Sequence, residues 1–181
     1  AVAQHDNERI SAEIKKQHQK EEIDIPHDNT SIESCSPQSE RWGNRSVIIE
    51  KVYLLNQHGE ERYTFKCGEP CIIEMKARTQ QPVDDLVFGI GIFRQDNICC
   101  YGTNTYIDNY QVSSAYAGQE VTVRCIIDRI NLIPGEYFLD IAAHDHYGTP
   151  YDYQTRQTRI SIYSDKQDIG ICRLDHKWEV F

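Results

Sequence analysis

From Val47 onward the apolar residues recur with a period of two, in short runs separated by turn formers. A period of two puts alternate side chains on opposite faces of an extended chain, so this pattern restricts the region to β structure. Residues 47–55 (VIIEKVYLL) read as a strand that ends at Asn56-Gln57-His58-Gly59. Short strands follow at 62–66, broken at Gly68-Glu69-Pro70, and at 71–79. Residues 86–94 (LVFGIGIFR) are apolar enough for a central strand, and Gly89 and Gly91 allow a close neighbour. A hairpin at Gln95-Asp96-Asn97 leads back through 98–101. Further strands are expected at 120–128, 136–144 and 158–163, with a last one at 171–180. Eight or nine short strands with no helix after residue 40 predict an all-β chain, an immunoglobulin-like antiparallel β-sandwich. A closed barrel is the alternative.

The first 40 residues are different. None of the 18 aromatic residues precedes Trp42, and the hydrophobic residues there are mostly isolated Ala and Ile. Such a segment cannot bury a core of its own. It is expected to be a linker, with a short helix over 5–24 or no fixed structure, and residues 41–181 to be the folded domain. The segment carries 4 basic and 9 acidic groups in a chain of net charge −9. No basic stripe appears, so the electrostatic footprint of a nucleic-acid or anionic-membrane partner is missing. No apolar run approaches the roughly 18 residues of a membrane span. No secretory signal opens the chain, and the lack of an initiator Met suggests a fragment.

Chemistry-bearing motifs are few. G-x-S-x-G, H-E-x-x-H and the phosphate-binding G-x-x-x-x-G-K-[ST] do not occur, so neither an enzyme nor a cofactor is expected. The seven cysteines are odd in number and irregular in spacing, which reads as reduced structural thiols of a cytosolic protein rather than a disulfide framework. Cys67-x3-Cys71 and His144-Asp145-His146 could each begin a metal site, but no further ligands complete either, and no metal is expected. Asp140, Asp145 and Asp152 are candidates for paired-carboxylate hydrolysis by residue type only.

Three segments mix aromatic rings with small polar residues: residues 101–105 (YGTNT), 139–145 (LDIAAHD) and 148–153 (GTPYDY). Sugars are bound by flat rings against their C–H faces and by amides, carboxylates and hydroxyls against their own hydroxyls. The 11 tyrosines supply both functions. The same residues could instead pack a sheet edge.

At these residues the sequence resembles a known family. Arg41-Trp42-Gly43, residues 87–94 (VFGIGIFR), residues 101–105, and Pro134-Gly135-Glu136-Tyr137 running through Asp140, His144-Asp145 and residues 148–153 are similar, in order and spacing, to the C-terminal carbohydrate-binding domain of Wzt. Wzt is the nucleotide-binding subunit of the ABC transporters that export O-antigen polysaccharide. The resemblance covers residues 41 to about 163, and Leu174-Asp175-His176-Lys177-Trp178 is also family-like. It implies non-catalytic recognition of the exported glycan, often at a modified non-reducing end. It implies a place on the cytoplasmic side of the bacterial inner membrane, joined through an upstream ATPase domain to a membrane subunit. It further implies a homodimer, with 164–181 as a C-terminal strand open to exchange between protomers.

The expected glycan contacts are Arg94, Tyr101, Asn104, Thr105, His144, Tyr151 and Asp152. Tyr101 and Tyr151 would stack on a ring or donate a hydroxyl. Asn104 and Thr105 would bond sugar hydroxyls, and His144 and Asp152 would do so or hold the loop. Arg94 would bind an acidic terminus. Strand parity puts Phe88, Ile90, Ile92 and Arg94 on one side and Val87, Gly89, Gly91 and Phe93 on the other. The glycine-bearing side leaves room for a ligand, or else for core packing. Trp42 and Trp178, at the two ends of the domain, are expected to pack the chain ends or a dimer interface, with a role as ligand platforms the alternative. The rival readings are a protein-docking module and a glycan hydrolase using Asp140, Asp145 or Asp152.

Overall fold

A computed structural model describes residues 39–181. The helix expected over 5–24 lies outside them. Nine strands follow in order: β1 Arg41–Trp42, β2 Val47–Leu55, β3 Thr64–Lys66, β4 Cys71–Thr79, β5 Val87–Arg94, β6 Cys99–Asn104, β7 Glu120–Ile127, β8 Gly135–His144 and β9 Pro150–Tyr163. They form two sheets. The larger runs β1-β9-β8-β5-β6, with β3 also on β9, and the smaller runs β2-β4-β7. The result is the expected sandwich. Pairing is antiparallel except for β3, which runs parallel to β9 over Thr64–Lys66.

The core lies between the sheets. The larger sheet supplies Phe88, Ile90, Ile92, Tyr137, Leu139, Ile141, Ala143, Ile160 and Ile162, and the smaller supplies Val47, Ile49, Leu54, Ile73, Met75 and Ala77. The alternation in β2 is not continuous. Ile49 pairs with Ala77 and Lys51 with Lys76, so Glu50 is an extra residue in the ladder. That bulge lets Val47 and Ile49 before it, and Leu54 after it, all face inward. Tyr137 donates its hydroxyl to the Ile133 carbonyl four residues upstream at 2.9 Å, the tyrosine-corner arrangement of sandwich domains. Burial pushes its phenol up to about 12.

Three elements differ from the sequence reading. β6 extends to Asn104, so residues 101–104 lie within a strand and not after it. β9 begins at Pro150, eight residues before its expected start. Its ladder jumps from Gln154 opposite Ile141 to Thr158 opposite Leu139, leaving 155–157 as a wide bulge facing Asp140. Within one chain, residues 164–181 form no strand, and their single bridge joins Cys172 to Leu132.

Candidate functional site

Because Phe88, Ile90 and Ile92 belong to the core, the side of β5 that carries Gly89 and Gly91 faces away from the smaller sheet. One row of residues crosses five strands on this outer face. Trp42 pairs with Tyr153, Tyr153 with Ala142, Ala142 with Gly89, and Gly89 with Asn104. The next row holds Asp140, Gly91 and Gly102. A third sets Phe138 opposite Phe93.

The Trp42 ring stacks on the Tyr153 ring, with centroids 4.4 Å apart and planes 15° apart. Trp42 is 43% exposed, so its other face is open to solvent. Beneath the pair, the Tyr153 hydroxyl approaches Asp140 Oδ2 at 3.4 Å. Burial, with Asp140 alongside, pushes the Tyr153 phenol up. Asp140 is itself buried on this face. Its Oδ1 accepts the Arg156 backbone N–H at 2.8 Å, which pins the β9 bulge. Burial raises the Asp140 carboxyl above the usual carboxylate range, and the Arg156 N–H opposes that rise. Arg156 sits in the left-handed region at φ +47°. Its guanidinium lies 3.8 Å over the Phe138 ring and donates to Asn97 Oδ1 at 2.6 Å. Its Nε and Nη2 are buried without a protein partner.

β1 is two residues long and both are exposed, too short a strand to hold itself to the sheet. It is fastened from inside by Asp152, whose side chain is fully buried. Arg41 donates to it from Nε at 2.8 Å and Nη2 at 2.7 Å, and Arg45 from Nη1 at 2.5 Å. The Ile49 backbone N–H at 2.7 Å and Gln154 Nε2 at 3.1 Å complete the shell. Gly43 makes the turn between the two arginines at φ +129°, where a Cβ would lie 2.4 Å from the Tyr151 carbonyl oxygen. The latch therefore sets where Trp42 sits.

The seven expected contacts divide three ways. Asn104 and His144 lie on the outer face beside Gly89, and a Cβ there would meet Asn104 Cβ at 3.4 Å and His144 Nε2 at 3.6 Å. His144 Nδ1 lies 2.6 Å from the Asp145 carbonyl oxygen, and burial holds its imidazole below the ordinary value. Thr105, Tyr151 and Asp152 hold the scaffold. Thr105 Oγ1 accepts the Phe88 N–H at 3.1 Å, and the Tyr151 hydroxyl donates to the Asp85 carbonyl at 2.8 Å. Asp152 does not reach the surface at all, because it is the centre of the latch. Arg94 and Tyr101 lie off this face. Arg94 is paired with Asp96 in the β5–β6 hairpin at 2.5 Å, and Tyr101 registers with Ile92 on the edge strand. Asp145, the remaining carboxylate weighed for hydrolysis, caps its own loop at the Tyr147 and Thr149 N–H groups. The reading by motif ranked Trp42 as a platform below Trp42 as packing, weighed Asp140 only for hydrolysis, and did not place Tyr153 or Arg156 among the contacts. Alternation between Asp152 and Tyr153 was the available signal, whereas the irregularity opposite Ala143 and His144 leaves Tyr151 packed against the core.

Among the described residues, no three His, Cys, Asp or Glu side chains gather into a metal-sized cluster, and no helix is long and apolar enough to cross a membrane. The outer face thus offers one open aromatic plane and, along the same row, the Asn104 amide and His144 imidazole, which close with Phe93 over the buried Gly89, Gly91 and Ala142. That set suits the C–H faces and hydroxyls of a sugar.

Comparison with known proteins agrees. A comparison with curated proteins gives no match. Among solved structures, the crystal structure of the C-terminal domain of Wzt superposes with a TM-score of 0.74 at 18% identity, covering 80% of this chain and 90% of that one. An alkylpurine DNA glycosylase from Pseudomonas fluorescens, bound to DNA containing an abasic site analog, matches with a TM-score of 0.43 at 11% identity, over 65% of this chain and 30% of that one. The CARDB domain of a Pyrococcus furiosus protein matches with a TM-score of 0.41 at 10% identity, over 65% and 94%. The family model of the Wzt C-terminal domain matches residues 38–174. The chain belongs to the Wzt C-terminal domain family, the carbohydrate-binding domains of O-antigen ABC transporters.

Proposed function

We propose that this domain binds the exported O-antigen polysaccharide without catalysis, at its modified non-reducing end, and that binding licenses export. The observation that carries the reading is the Trp42–Tyr153 stack, which leaves one indole face open at the end of the outer row. An oligosaccharide that starts on that face and runs along the row would meet hydrogen-bonding groups from Asn104 and His144 several sugars away. Export would respond only if the bound state changes the domain's arrangement or avidity toward the transporter. The protein would act on the cytoplasmic side of the inner membrane, joined through an upstream ATPase domain to the membrane subunit. It would work as a homodimer. Ile169, Leu174, Trp178, Val180 and Phe181 are largely exposed on a segment whose single bridge joins Cys172 to Leu132, which supports exchange of 164–181 between protomers.

The test is calorimetric titration with O-polysaccharide released from the source strain's lipopolysaccharide, intact or stripped of its terminal residue. Wild type should bind the intact chain and lose binding with the terminus. Trp42→Ala should weaken binding at least tenfold, the loss of one aromatic stacking contact of about 1.4 kcal/mol. Equal binding by Trp42→Ala, or binding indifferent to the terminus, would reject the reading.

A further inference from the structure

Beyond Asn104 and His144, two loops meet at the end of the larger sheet and expose more aromatic surface than the fold requires. Tyr147 is 82% exposed, Tyr110 67% and Tyr106 60%. The His146 ring lies 3.7 Å from the Tyr147 ring and 6.2 Å from that of Tyr106. These rings stand on fixed supports. Asp85 accepts the His146 backbone N–H at 2.9 Å and also engages its Nδ1. Asp145 Oδ1 accepts the N–H groups of Tyr147 at 3.0 Å and Thr149 at 2.8 Å, and Gly148 makes the turn at φ +88°. On the other loop, Asn104 Oδ1 accepts the Ile107 N–H at 2.7 Å, and the Tyr110 N–H bonds the Thr105 carbonyl at 2.8 Å. Large rings held rigidly in water give up the burial that would stabilise them, and such patches mark binding surfaces.

The rows of the sheet connect this cluster to Trp42. Trp42, Tyr153, Ala142, Gly89 and Asn104 stand in one line across five strands. Four strand spacings of about 4.8 Å make that line roughly 19 Å long. Its middle, Ala142 and Gly89, is buried beside the His144 and Asn104 side chains, and it ends on Asn104, the residue that caps the Tyr106 loop. A linear polymer laid along it starts on one aromatic platform and arrives at another. The cluster itself alternates rings with phenol hydroxyls and an imidazole. A sugar uses such a surface better than a protein partner, whose interface would centre on a fully desolvated apolar patch.

We infer that the Tyr106, His146 and Tyr147 loops form a second sugar-binding subsite, which holds a residue further along the same polysaccharide than the one on Trp42. The inference rests on the glycan reading of the Trp42 face. It makes affinity depend on chain length, because a fragment confined to the terminus fills one platform and the polymer fills two.

The experiment is calorimetry on wild type, Trp42→Ala and the double variant Tyr106→Ala/Tyr147→Ala. The probes are the released O-polysaccharide and a one-repeat fragment that keeps the terminus. The rings replaced are exposed, so the thermal midpoint of the double variant should match wild type. Its Kd for the polymer should rise about tenfold or more, with its Kd for the fragment unchanged. Polymer binding equal to wild type in the double variant, alongside loss in Trp42→Ala, would overturn the second subsite and leave the Trp42 reading standing. Equal weakening toward polymer and fragment would overturn it too, by assigning these rings to the terminus. No polymer binding by wild type would reject both readings.

Discussion

The Asp152 latch makes a prediction whose sign runs against a simple count of contacts. Arg41→Ala removes two of the five donors to a fully buried carboxylate. The lost Arg41 side chain is itself 40% exposed, so its own removal costs little. The cost lies in the charge left behind. Breaking a buried pair from one side costs roughly 3–5 kcal/mol, because the remaining ion is uncompensated. Arg45 stays within 2.5 Å of Asp152 Oδ1, which brings the expectation down to about 2–3 kcal/mol. At roughly 4 °C per kcal/mol for a domain of this size, the thermal midpoint should fall by about 10 °C.

Asp152→Asn should be destabilising as well, since its amide NH2 would face guanidinium donors. The double variant Arg41→Ala/Asp152→Asn, however, no longer buries a carboxylate. Its loss should fall short of the sum of the single losses by about 1–3 kcal/mol, the coupling expected of groups in one network. Urea denaturation of the four proteins measures the cycle, with a common slope confirming that only stability has changed. An Arg41→Ala loss below about 1 kcal/mol, the worth of an exposed ion pair, would refute the argument. So would strict additivity.

Two further outcomes follow from the same region. Gly43→Ala should destabilise by about 2 kcal/mol, since Ala is strained at positive φ and its Cβ would fall 2.4 Å from the Tyr151 carbonyl oxygen; calorimetry reads the loss, and a neutral result would mean that β1 leaves the sheet at little cost. His144 has its pKa depressed from the ordinary 6.5 by burial, against the opposing bond from the Asp145 carbonyl. The folded state therefore resists protonation, so the stability that His144 contributes is complete above pH 6.5 and is lost as the pH falls below it. His144→Gln should remove that acid-side loss in thermal midpoints taken from pH 8 to pH 5, and parallel curves for the two proteins would contradict it.

The strands that the sequence made legible are those with one face in the core and one in water, or with an unbroken apolar run. β4 and β7 alternate because each is half covered, and the apolar run of β5 reflects burial on both faces. What escaped was set by pairing between distant residues. The start of β9 looked like a loop because its 155–157 bulge interrupts any period of two. β1 carries no strand signal of its own, being two residues held by a partner 111 positions away. Asp152 read as a ligand contact because an acid between tyrosines looks like a surface group. Two arginines and one backbone N–H turn it into an internal anchor, and no local pattern announces them. Which side of β5 packs the core needed the smaller sheet in place, and the core takes Phe88, Ile90 and Ile92.

The placement of Trp42 on the least self-supporting strand ties affinity to the latch. If β1 detaches in a fraction of molecules, the apparent Kd rises by the reciprocal of the attached fraction, with no change to any sugar contact. The link is reciprocal, since a ligand on Trp42 stabilises the attached state by RT ln(1 + [L]/Kd). At a hundredfold excess over Kd that is about 2.7 kcal/mol, close to what Arg41→Ala is expected to remove. Hydrogen exchange at the N–H groups of Asn44 and Arg45, which bond the carbonyls of Pro150 and Tyr151, measures the attachment directly. Arg41→Ala should speed their exchange in the free protein, and saturating O-polysaccharide should restore protection to about the level of free wild type. Binding that leaves these amides unprotected in the variant would mean that the sugar does not contact Trp42.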